Sequence, residues 1–407
     1  MDAPWCRKGC HALSGPPMET VRRGSTESEG KGELSLPKVT RQISFRVTMI
    51  EDDIRAKVLE VLERTPYYAG PETAAFEAEL ASYCGLPYGV SANSGTSCLL
   101  LALLARGIGR GDEVIVPTNT FVSVPECVLF VGATLVLTDI EDDGNISRAI
   151  IEQHLTSRTR AIVPVHMYGH PVDMDPIMAL ARERDLYVIE DAAHALGARY
   201  KGRRAGSLGD VGFFSFAGKS ITVCGQAGAA VTADPDLAAK MASLRVHGWR
   251  QETGNVWHVA ERVGLNLRTS EILSAIGRLN LRKLDGWTAA RMANALRYNA
   301  RLAAGGAPVT LPVPRPDQAP GWLHYVVRVP RRDELRGYLS ERGIQTSILY
   351  PVPLHRQQAF SDVVPSTAAF PVSEAMCGDM VGLPSHPWLT PDEVDYVADT
   401  ILEFYGK

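Results

Sequence analysis

Apolar residues recur with two different spacings along most of the chain. Short apolar runs of strand length appear as "YGVSAN", "DEVIVP", "ATLVLTDI", "AIVPVHMYG" and "LYVIEDAA". Segments with helical spacing, such as "DPIMALARERD", separate these runs. Strands that alternate with helices are typical of a mostly parallel sheet with helices on both faces. The pattern therefore predicts a large α/β domain over residues 49–288.

Apolar residues spaced three or four apart predict helices at both ends of the folded region. Near its start, one predicted stripe consists of Ile54, Val58, Val61 and Leu62, and a second of Phe76, Leu80 and Tyr83. At its end, Thr390 is the predicted N-cap of a helix whose buried stripe is Val394, Val397, Ile401 and Phe404.

A change of pattern predicts a second, smaller α/β domain over residues 289–407. The stretch "HYVVRVPRRDELRGYLSERGIQTSILYPVPLH" is typical of a strand, a helix and a second strand. We expect the first helix, near residues 51–64, to lean on this domain. Residues 1–48 are polar, rich in Gly, Ser and Pro, and without periodicity, so they are predicted to be a disordered tail.

Composition argues against a nucleic-acid-binding protein and against a membrane protein. The 407 residues carry a net charge of −4, which gives no electrostatic footprint for nucleic acid, and no run of eighteen apolar residues predicts a membrane span. The seven cysteines are scattered, which favours a reducing, cytoplasmic location over a disulfide scaffold. The motif "CRKGCH" at 6–11 has no second Cys/His pair at ligand spacing, so no metal site is predicted.

Three features carry candidate chemistry. A Ser94-Gly95-Thr96 turn before a helix offers backbone N–H groups and a positive dipole end to a phosphate. Asp191 directly follows an apolar strand, and Lys219 lies in a glycine-lined loop where a lowered pKa suits a Schiff-base amine. Each alone has a plain alternative, such as a helix cap or a turn former. Together and in this order they supply what pyridoxal phosphate requires of a protein.

With these features, the chain resembles the DegT/DnrJ/EryC1/StrS sugar aminotransferases, pyridoxal phosphate enzymes of fold type I. Matching stretches follow the family's order over residues 50–405, nearly the whole chain apart from the tail. They include "SGT" at 94–96, "GDEVIVPTNTFVS" at 111–123, "VPVHMYG" at 163–169, "EDAAHALGA" at 190–198, "GSLGDVGFFSF" at 206–216, "GLNLRTSEILSAIGRLNLRKLD" at 264–285 and "ILYPVPLH" at 348–355. The resemblance implies transfer of an amino group from glutamate or glutamine to a keto-sugar or keto-cyclitol, in amino-sugar or antibiotic biosynthesis.

The resemblance also implies roles for residues around the cofactor ring. Lys219 would form the Schiff base and move the proton, and Asp191 would keep the pyridine nitrogen protonated. His194 would lie near the phenolate oxygen, and Phe121 would stack on the ring.

Further roles implied by the resemblance concern the phosphate and the substrate. Gly95, Thr96 and Ser215 would hold the phosphate, together with Asn266 from the neighbouring subunit. A homodimer with shared active sites follows from that last role. Arg268 and His355 resemble positions on the substrate side.

The sequence departs from the family pattern on both sides of the lysine. Only Ala217 and Gly218 separate Phe216 from Lys219, where three residues are usual, and Gln226-Ala227 replace an acidic residue and a glycine. The loop "VCGQAGA" is similar to that of a branch acting on a 3-keto-hexose 6-phosphate. A free phosphate needs positive charge, and the segment 247–268 offers His247, Arg250, His258, Arg262 and Arg268.

Other readings stay open at this point. Trp249 and Trp257 could stack on the base of a nucleotide-linked keto-sugar, and a keto-cyclitol is a third acceptor class. A sugar dehydratase of the same family would have histidine in place of Lys219. A non-catalytic, cofactor-binding regulator would have no need for Lys219 and Asp191.

Overall fold

The computed structural model describes residues 41–47, 49–64, 66–217, 225–249 and 259–407. Most of the predicted tail therefore lies outside the described residues. Residues 41–47, which belong to that prediction, instead pack on the folded body, where Ile43 is 1% exposed and forms a parallel bridge with Ile344. The described residues belong to one compact unit. Within them, no helix is both long and apolar enough to span a membrane.

The described ranges contain helices of between five and 35 residues. They are α1 (Asp52–Leu62), α2 (Pro71–Cys84), α3 (Gly95–Arg106), α4 (Ser123–Phe130), α5 (Arg148–Glu152), α6 (Met174–Arg184), α7 (Pro235–Leu244), α8 (Glu271–Gly305), α9 (Arg332–Glu341), α10 (Pro371–Asp379) and α11 (Pro391–Phe404).

The strands of the same ranges are short. They are β1 (Tyr88–Ala92), β2 (Glu113–Pro117), β3 (Thr134–Thr138), β4 (Thr159–Ile162), β5 (Tyr187–Asp191), β6 (Arg199–Tyr200), β7 (Arg203–Arg204), β8 (Val211–Ser215), β9 (Gly228–Thr232), β10 (Gln318–Ala319), β11 (Tyr325–Arg328) and β12 (Met380–Leu383).

One large sheet organises the described part of the molecule. Seven strands lie in the order β1-β9-β8-β5-β4-β2-β3. β9 runs antiparallel to both of its neighbours, and all other neighbours are parallel. Because two antiparallel steps separate β1 from β8, these two strands share a direction, and their carboxyl ends lie at the same edge as those of β2, β4 and β5. The predicted mostly parallel sheet is confirmed.

Helices cover both faces of this sheet. Val114 and Val116 of β2 pack into one apolar cluster with residues of α3, α4 and α7, whereas Ile115 packs into another with residues of α5 and α6. Side chains of successive strand residues point to opposite faces, so a strand buried on both faces must be apolar throughout. This explains why the core strands appear in the sequence as continuous apolar runs.

The first helix partly differs from its predicted stripe. Ile54 and Val61 are buried, but Leu62 is 47% exposed. α1 packs on α8, where Lys283 forms ion pairs with Glu51 at 3.0 Å and Asp53 at 2.8 Å. The predicted domain boundary at 288/289 falls inside α8 and stays a prediction.

The C-terminal part also contains one correction. A strand at β11 and a helix at α9 are confirmed, but the predicted second strand is wrong, because Ser347 forms only an isolated bridge with Gly382. Pro351 and Pro353 lack the N–H that a ladder needs. The partner of β11 is β12, which pairs antiparallel with it.

The predicted C-terminal helix is confirmed, with one difference in its stripe. Thr390 and Glu393 form a capping box at the start of α11, and Val394, Val397 and Ile401 are fully buried, whereas Phe404 is only partly buried against the same core.

Candidate active site

The carboxyl ends of the parallel strands gather most of the predicted site residues at one edge of the sheet. Asp191 ends β5, Ser215 ends the adjacent strand β8, and Gly95 begins α3 directly after β1. Phe121 follows β2. In parallel sheets, ligands bind in the crevice beyond this edge.

The N-terminus of α3 forms a tight cradle at this edge. The Ser94 side chain caps the helix by accepting a hydrogen bond from the Ser97 N–H at 3.1 Å. Within the described residues, the backbone N–H groups of Gly95 and Thr96 have no acceptor. A Cβ added to Gly95 would lie 2.9 Å from the Ser215 Cβ, so only glycine lets the helix approach β8 this closely. The geometry suits a phosphate at a helix N-terminus.

Asp191 is a buried carboxyl at the centre of the edge. Its residue is 4% exposed, and one carboxylate oxygen accepts a hydrogen bond from the Ala193 N–H at 2.9 Å. Burial raises the pKa of Asp191 to about 6, although that hydrogen bond acts in the opposite direction. A buried carboxylate with so little compensation favours a cationic partner such as a protonated ring nitrogen.

A buried pair next to Asp191 fixes the surrounding loops, and it was missed by the sequence reasoning. His166 Nδ1 accepts the Val172 N–H at 2.9 Å, so its Nε2 carries the proton and donates to Glu190 at 2.6 Å. Glu190 also accepts backbone N–H groups of the loop after β7, from Leu208 at 2.7 Å and Gly209 at 3.0 Å. The only signal was a histidine and a glutamate inside apolar runs 24 positions apart.

Polar groups beside Phe121 are consistent with a ligand at this edge. The side-chain oxygens Asn119 Oδ1 and Thr120 Oγ1 are buried and have no hydrogen-bond partner within the described residues. Buried polar atoms normally find a partner, so these two indicate a place for a ligand or water. Phe121 itself is 45% exposed, unlike a core aromatic. The cradle, the buried Asp191 and this exposed ring together fit a phosphorylated pyridine cofactor.

Lys219 lies outside the described residues, but both ends of its loop are described. The loop connects β8 to β9, and the Phe216 N–H donates to the Ala227 carbonyl at 2.8 Å, which closes it at the cofactor edge. Of the residues that depart from the family pattern, Gln226 is exposed and Ala227 is buried.

His194 belongs to the loop that follows β5. Its ring meets the His324 ring edge to face, with centroids 5.0 Å apart and planes at 81°. The sequence reasoning did not single out His324.

Asn266 and Arg268 lie together on the surface of the chain. Asn266 is exposed, and its Oδ1 accepts a hydrogen bond from Arg268 Nε at 3.1 Å. The Arg268 guanidinium carbon lies 4.4 Å from the centre of the Tyr68 ring. Neighbouring apolar side chains are also exposed, with Val263 at 96% and Leu265 at 38%.

His355 is buried and engaged through its ring. Nε2 lies 2.7 Å from Glu374, and Nδ1 lies 3.4 Å from the Thr118 hydroxyl just beyond β2. The structure therefore ties His355 to a residue at the cofactor edge and gives both of its nitrogens protein neighbours.

The basic residues considered for a free phosphate have different neighbours in the structure. Arg250 and His258 lie outside the described residues. His247 packs against Trp249 at 5.4 Å between ring centroids, and Arg262 lies 3.7 Å from Glu261. As for metals, the described part of the chain holds no group of three His, Cys, Asp or Glu able to bind one, and "CRKGCH" lies outside it.

Comparison with known proteins gives matches over the same region. The model of the DegT/DnrJ/EryC1/StrS aminotransferase family matches residues 48–402. The dTDP-3-amino-3,4,6-trideoxy-alpha-D-glucose transaminase of Streptomyces venezuelae is 42% identical over 352 residues, covering 86% of this chain and 91% of the relative. The UDP-N-acetyl-3-dehydro-alpha-D-glucosamine 3-aminotransferase of Acidithiobacillus ferrooxidans is 38% identical, with coverages of 90% and 97%.

A solved structure matches as well. The crystal structure of S. venezuelae DesV in complex with a ketimine intermediate has a TM-score of 0.83 and 41% sequence identity. The match covers 87% of this chain and 95% of that one.

Proposed function

The chain belongs to the DegT/DnrJ/EryC1/StrS aminotransferase family, and from that premise we propose that it aminates a nucleotide-linked 3-keto-sugar. In general terms, its activity is that of its relatives. It is a pyridoxal phosphate-dependent transaminase that converts a keto-sugar to its amino derivative in amino-sugar or antibiotic biosynthesis. The two relatives described above are named for a dTDP-linked and a UDP-linked sugar, and both names place the nitrogen at carbon 3. That agreement supports the finer assignment.

One observation carries the cofactor chemistry. The buried Asp191 carboxyl lies at the same sheet edge as the open N-terminus of α3. Pyridoxal phosphate held there would supply an electron sink for the transfer of an amino group from the donor to the keto acceptor.

Different residues of this edge bind different parts of the cofactor. The N–H groups of Gly95 and Thr96 and the Ser215 hydroxyl bind the phosphate, and Asp191 accepts a hydrogen bond from the ring nitrogen. The exposed Phe121 ring stacks on the pyridine, and His194 contacts its phenolate side. Lys219 supplies the anchoring amine and moves a proton at the substrate carbon.

The acceptor and donor are held by the outer part of the site. Arg268 and His355 contact the substrate, and His355 is linked to the cofactor edge through the Thr118 hydroxyl at 3.4 Å. Glutamate or glutamine is the donor. Asn266 extends from the exposed surface to the phosphate of a second subunit, so the active unit is a homodimer.

Two observations favour the nucleotide-linked sugar over a simple sugar phosphate. Each basic residue that the structure describes in the segment 247–268 packs against a different protein group. His247 packs against Trp249, Arg262 lies 3.7 Å from Glu261, and Arg268 lies over the Tyr68 ring. Both named relatives act on nucleotide-linked sugars. The dehydratase alternative requires a histidine where this chain has Lys219, and a regulator would have no use for a Schiff-base lysine.

The acceptor class is tested with the pyridoxamine phosphate form of the purified protein. One nucleotide-linked 3-keto-hexose, 3-keto-glucose 6-phosphate and a keto-cyclitol are added in separate reactions. We expect the near-visible absorbance of the pyridoxal form to return only with the nucleotide-linked sugar. The Lys219→Ala variant is the control for signal that does not arise from transamination.

Other outcomes have defined meanings. Return of the absorbance with 3-keto-glucose 6-phosphate alone would contradict the nucleotide assignment and support the loop resemblance. Failure of every keto acceptor, with cofactor bound and a donor able to bleach it, would overturn the proposed acceptor class altogether.

A further inference from the structure

His355 belongs to a chain of three hydrogen-bonding groups that ends at the cofactor edge. Its Nε2 lies 2.7 Å from a carboxylate oxygen of Glu374, and its Nδ1 lies 3.4 Å from the Thr118 hydroxyl. Thr118 is buried directly after β2, where its N–H donates to the Thr138 carbonyl at 2.9 Å. A carboxylate, an imidazole and a hydroxyl therefore follow one another from α10 to the carboxyl end of the large sheet.

The carboxylate determines which nitrogen of the His355 ring carries the proton. An ionised carboxylate only accepts hydrogen bonds, so the neighbouring Nε2 must donate to it. The hydrogen bond from His355 lowers the pKa of the Glu374 carboxyl, and Arg356 at 3.1 Å acts in the same direction, so Glu374 is ionised at neutral pH. In the neutral ring, Nδ1 is then bare and accepts the Thr118 hydroxyl proton.

The start of α10 is tied to the large sheet, which gives Glu374 a defined position. Asp139, directly after β3, accepts the N–H groups of Val372 and Ser373 at 3.0 Å and 2.9 Å, and the Ser373 hydroxyl at 2.8 Å. Two of these bonds satisfy donors that the first turn of a helix leaves without acceptors. Glu374 is the next residue along α10, so its backbone is fixed relative to the strands that form the cofactor edge.

Packing holds the His355 ring itself. The ring belongs to a 3₁₀ turn, Leu354–Arg356, whose Leu354 packs into an apolar cluster of the large sheet. Phe370 meets the ring edge to face, with centroids 4.8 Å apart. The His355 side chain is 1% exposed, so almost no water reaches it. The position of the ring is thus set by packing, whereas the position of its proton is set by Glu374.

We propose that Glu374 is a positioning residue of the active site, which keeps the His355 proton on Nε2 and thereby fixes the direction of the Thr118 hydrogen bond. The proposal rests on the proposed function in one respect, the place of His355 on the substrate side. With the opposite tautomer, Nδ1 would donate to Thr118, and the hydroxyl would offer the site a proton instead of a lone pair. A substrate matched to one arrangement binds less well to the other, because a buried donor or acceptor is left unpaired.

The test compares two substitutions of Glu374. Glu374→Gln retains an acceptor oxygen, and Arg356 favours its present orientation because Arg356 and His355 both bond to the same Oε1. Glu374→Leu removes the acceptor and with it the preference for one tautomer.

Glu334→Leu is the matched control. Like Glu374, Glu334 lies in the first turn of a helix, α9, and pairs with an arginine, Arg331, at 2.5 Å. Unlike Glu374, it forms side-chain hydrogen bonds only to that arginine among the described residues.

The proton position is measured directly in the full-length protein without substrate. Histidine labelled with an NMR-active nitrogen isotope gives chemical shifts that distinguish a protonated ring nitrogen from a bare one, and His355→Gln identifies the signals. The spectra are recorded at a pH at which the ring is neutral. We expect the proton on Nε2 in the wild type, Glu374→Gln and Glu334→Leu, and a mixture of both tautomers in Glu374→Leu.

The consequence for the reaction is measured with the pyridoxamine phosphate form and the nucleotide-linked 3-keto-hexose. We expect Glu374→Leu to raise the KM of this acceptor by about tenfold, through one mismatched buried hydrogen bond. The affinity for pyridoxal phosphate should not change, because His355 and Thr118 separate Glu374 from the cofactor edge. Glu374→Gln and Glu334→Leu should stay close to the wild type in both quantities.

The outcomes separate this proposal from the proposed function. A wild-type His355 ring with its proton on Nδ1 would overturn the proposal. If Glu374→Leu lowers the melting temperature but leaves the ring shifts and the KM unchanged, Glu374 is merely structural and the proposal is likewise overturned. The same conclusion follows if Glu374→Gln behaves like Glu374→Leu. Failure of the wild-type protein to convert any keto acceptor, with the His355 proton on Nε2, would instead contradict the proposed function.

Discussion

Asp191 has opposite effects on stability and on activity, and both follow from its burial. The carboxyl has a pKa raised from 3.8 to about 6 because it lies away from water. The folded protein therefore holds this proton more tightly than the unfolded chain does. Without cofactor, the free energy of unfolding must fall as the pH rises through the interval between these two values, and the loss is complete above about pH 6.

We expect Asp191→Asn to stabilise the cofactor-free protein at pH 7 by an amount on the order of 1–3 kcal/mol. The asparagine carbonyl can still accept the Ala193 N–H, so the loop after β5 is retained. Urea denaturation at pH 7 and pH 4 checks the prediction, because the difference between variant and wild type should be much smaller at the lower pH. A difference between variant and wild type that is the same at both pH values would mean that burial does not destabilise the ionised Asp191 carboxyl.

The same substitution should abolish most of the activity. Asparagine cannot keep a ring nitrogen protonated, so we expect turnover to fall by about a thousandfold or more, a barrier increase of roughly 4 kcal/mol. Steady-state transamination with saturating cofactor measures this loss. An active Asn variant would show that the ring nitrogen lies elsewhere.

Lys219 is the second residue whose substitution we expect to remove activity. Lys219→Ala should leave the fold intact and remove turnover, since no other residue of the proposed site can provide the amine. Circular dichroism would report the fold and a coupled assay the turnover. Steady-state activity above a trace in this variant would contradict the role of Lys219.

Single residues were predictable from the sequence where a local pattern located them. Asp191 and Gly95 stand directly beyond apolar runs, so their place at the sheet edge followed from strand direction. His166 and Glu190 were not predictable as a pair, because a polar residue inside an apolar run does not reveal its distant partner. Phe45 was assigned to a disordered tail, since seven residues pinned by long-range hydrogen bonds carry no periodic signal.

At the scale of elements, one carboxylate joins two helices of the large-sheet region. Glu271 begins α8, is 2% exposed, and accepts backbone N–H groups from Gly70 at 2.9 Å, Glu72 at 2.8 Å and Thr73 at 3.0 Å. These donors belong to the otherwise unsatisfied N-terminus of α2, whose dipole also favours a negative charge.

We expect Glu271→Gln to lower the free energy of unfolding by about 2–3 kcal/mol, because a neutral amide loses the charge and turns one NH₂ group toward backbone donors. Glu403→Gln on α11 is the control, with a 63% exposed side chain and an expected change below about 0.5 kcal/mol. The urea midpoints of the two variants, compared with that of the wild type, test this prediction. A loss no larger than that of the control would show that Glu271 does not hold α2.

The prediction of helices and strands failed where contacts between elements, rather than the local pattern of apolar residues, decide the structure. The stretch after α9 has strand-like residues, yet its prolines prevent a ladder, and β12 supplies the partner of β11 from far along the chain. Leu62 fits the apolar stripe of α1 but is exposed at the end of that helix. For β11, the deciding contact is with a strand that is distant in sequence.

At the scale of the whole molecule, exposed apolar groups surround the residue proposed to act in a second subunit. Leu62, Tyr67 and Tyr68 are each about half exposed near one end of α1, and Val263 and Leu265 are exposed beside Asn266. Arg268, which is hydrogen-bonded to Asn266, packs on the Tyr68 ring and so links the two groups. Exposed apolar groups of this kind are typical of a protein interface. Because a two-fold dimer uses the same patch on both subunits, each subunit would lend its Asn266 to the other.

Mixing two inactive variants tests this sharing. Lys219→Ala and Asn266→Ala subunits should form a heterodimer in which one site carries both wild-type groups and the other carries neither. Random exchange at equal concentrations makes half of the dimers mixed, so activity should recover to about a quarter of the wild-type value. Lys219→Ala mixed with Asp191→Asn is the control, because both groups belong to one subunit's site and no mixed dimer can restore it. Recovery in neither mixture, despite demonstrated subunit exchange, would show that Asn266 serves its own subunit.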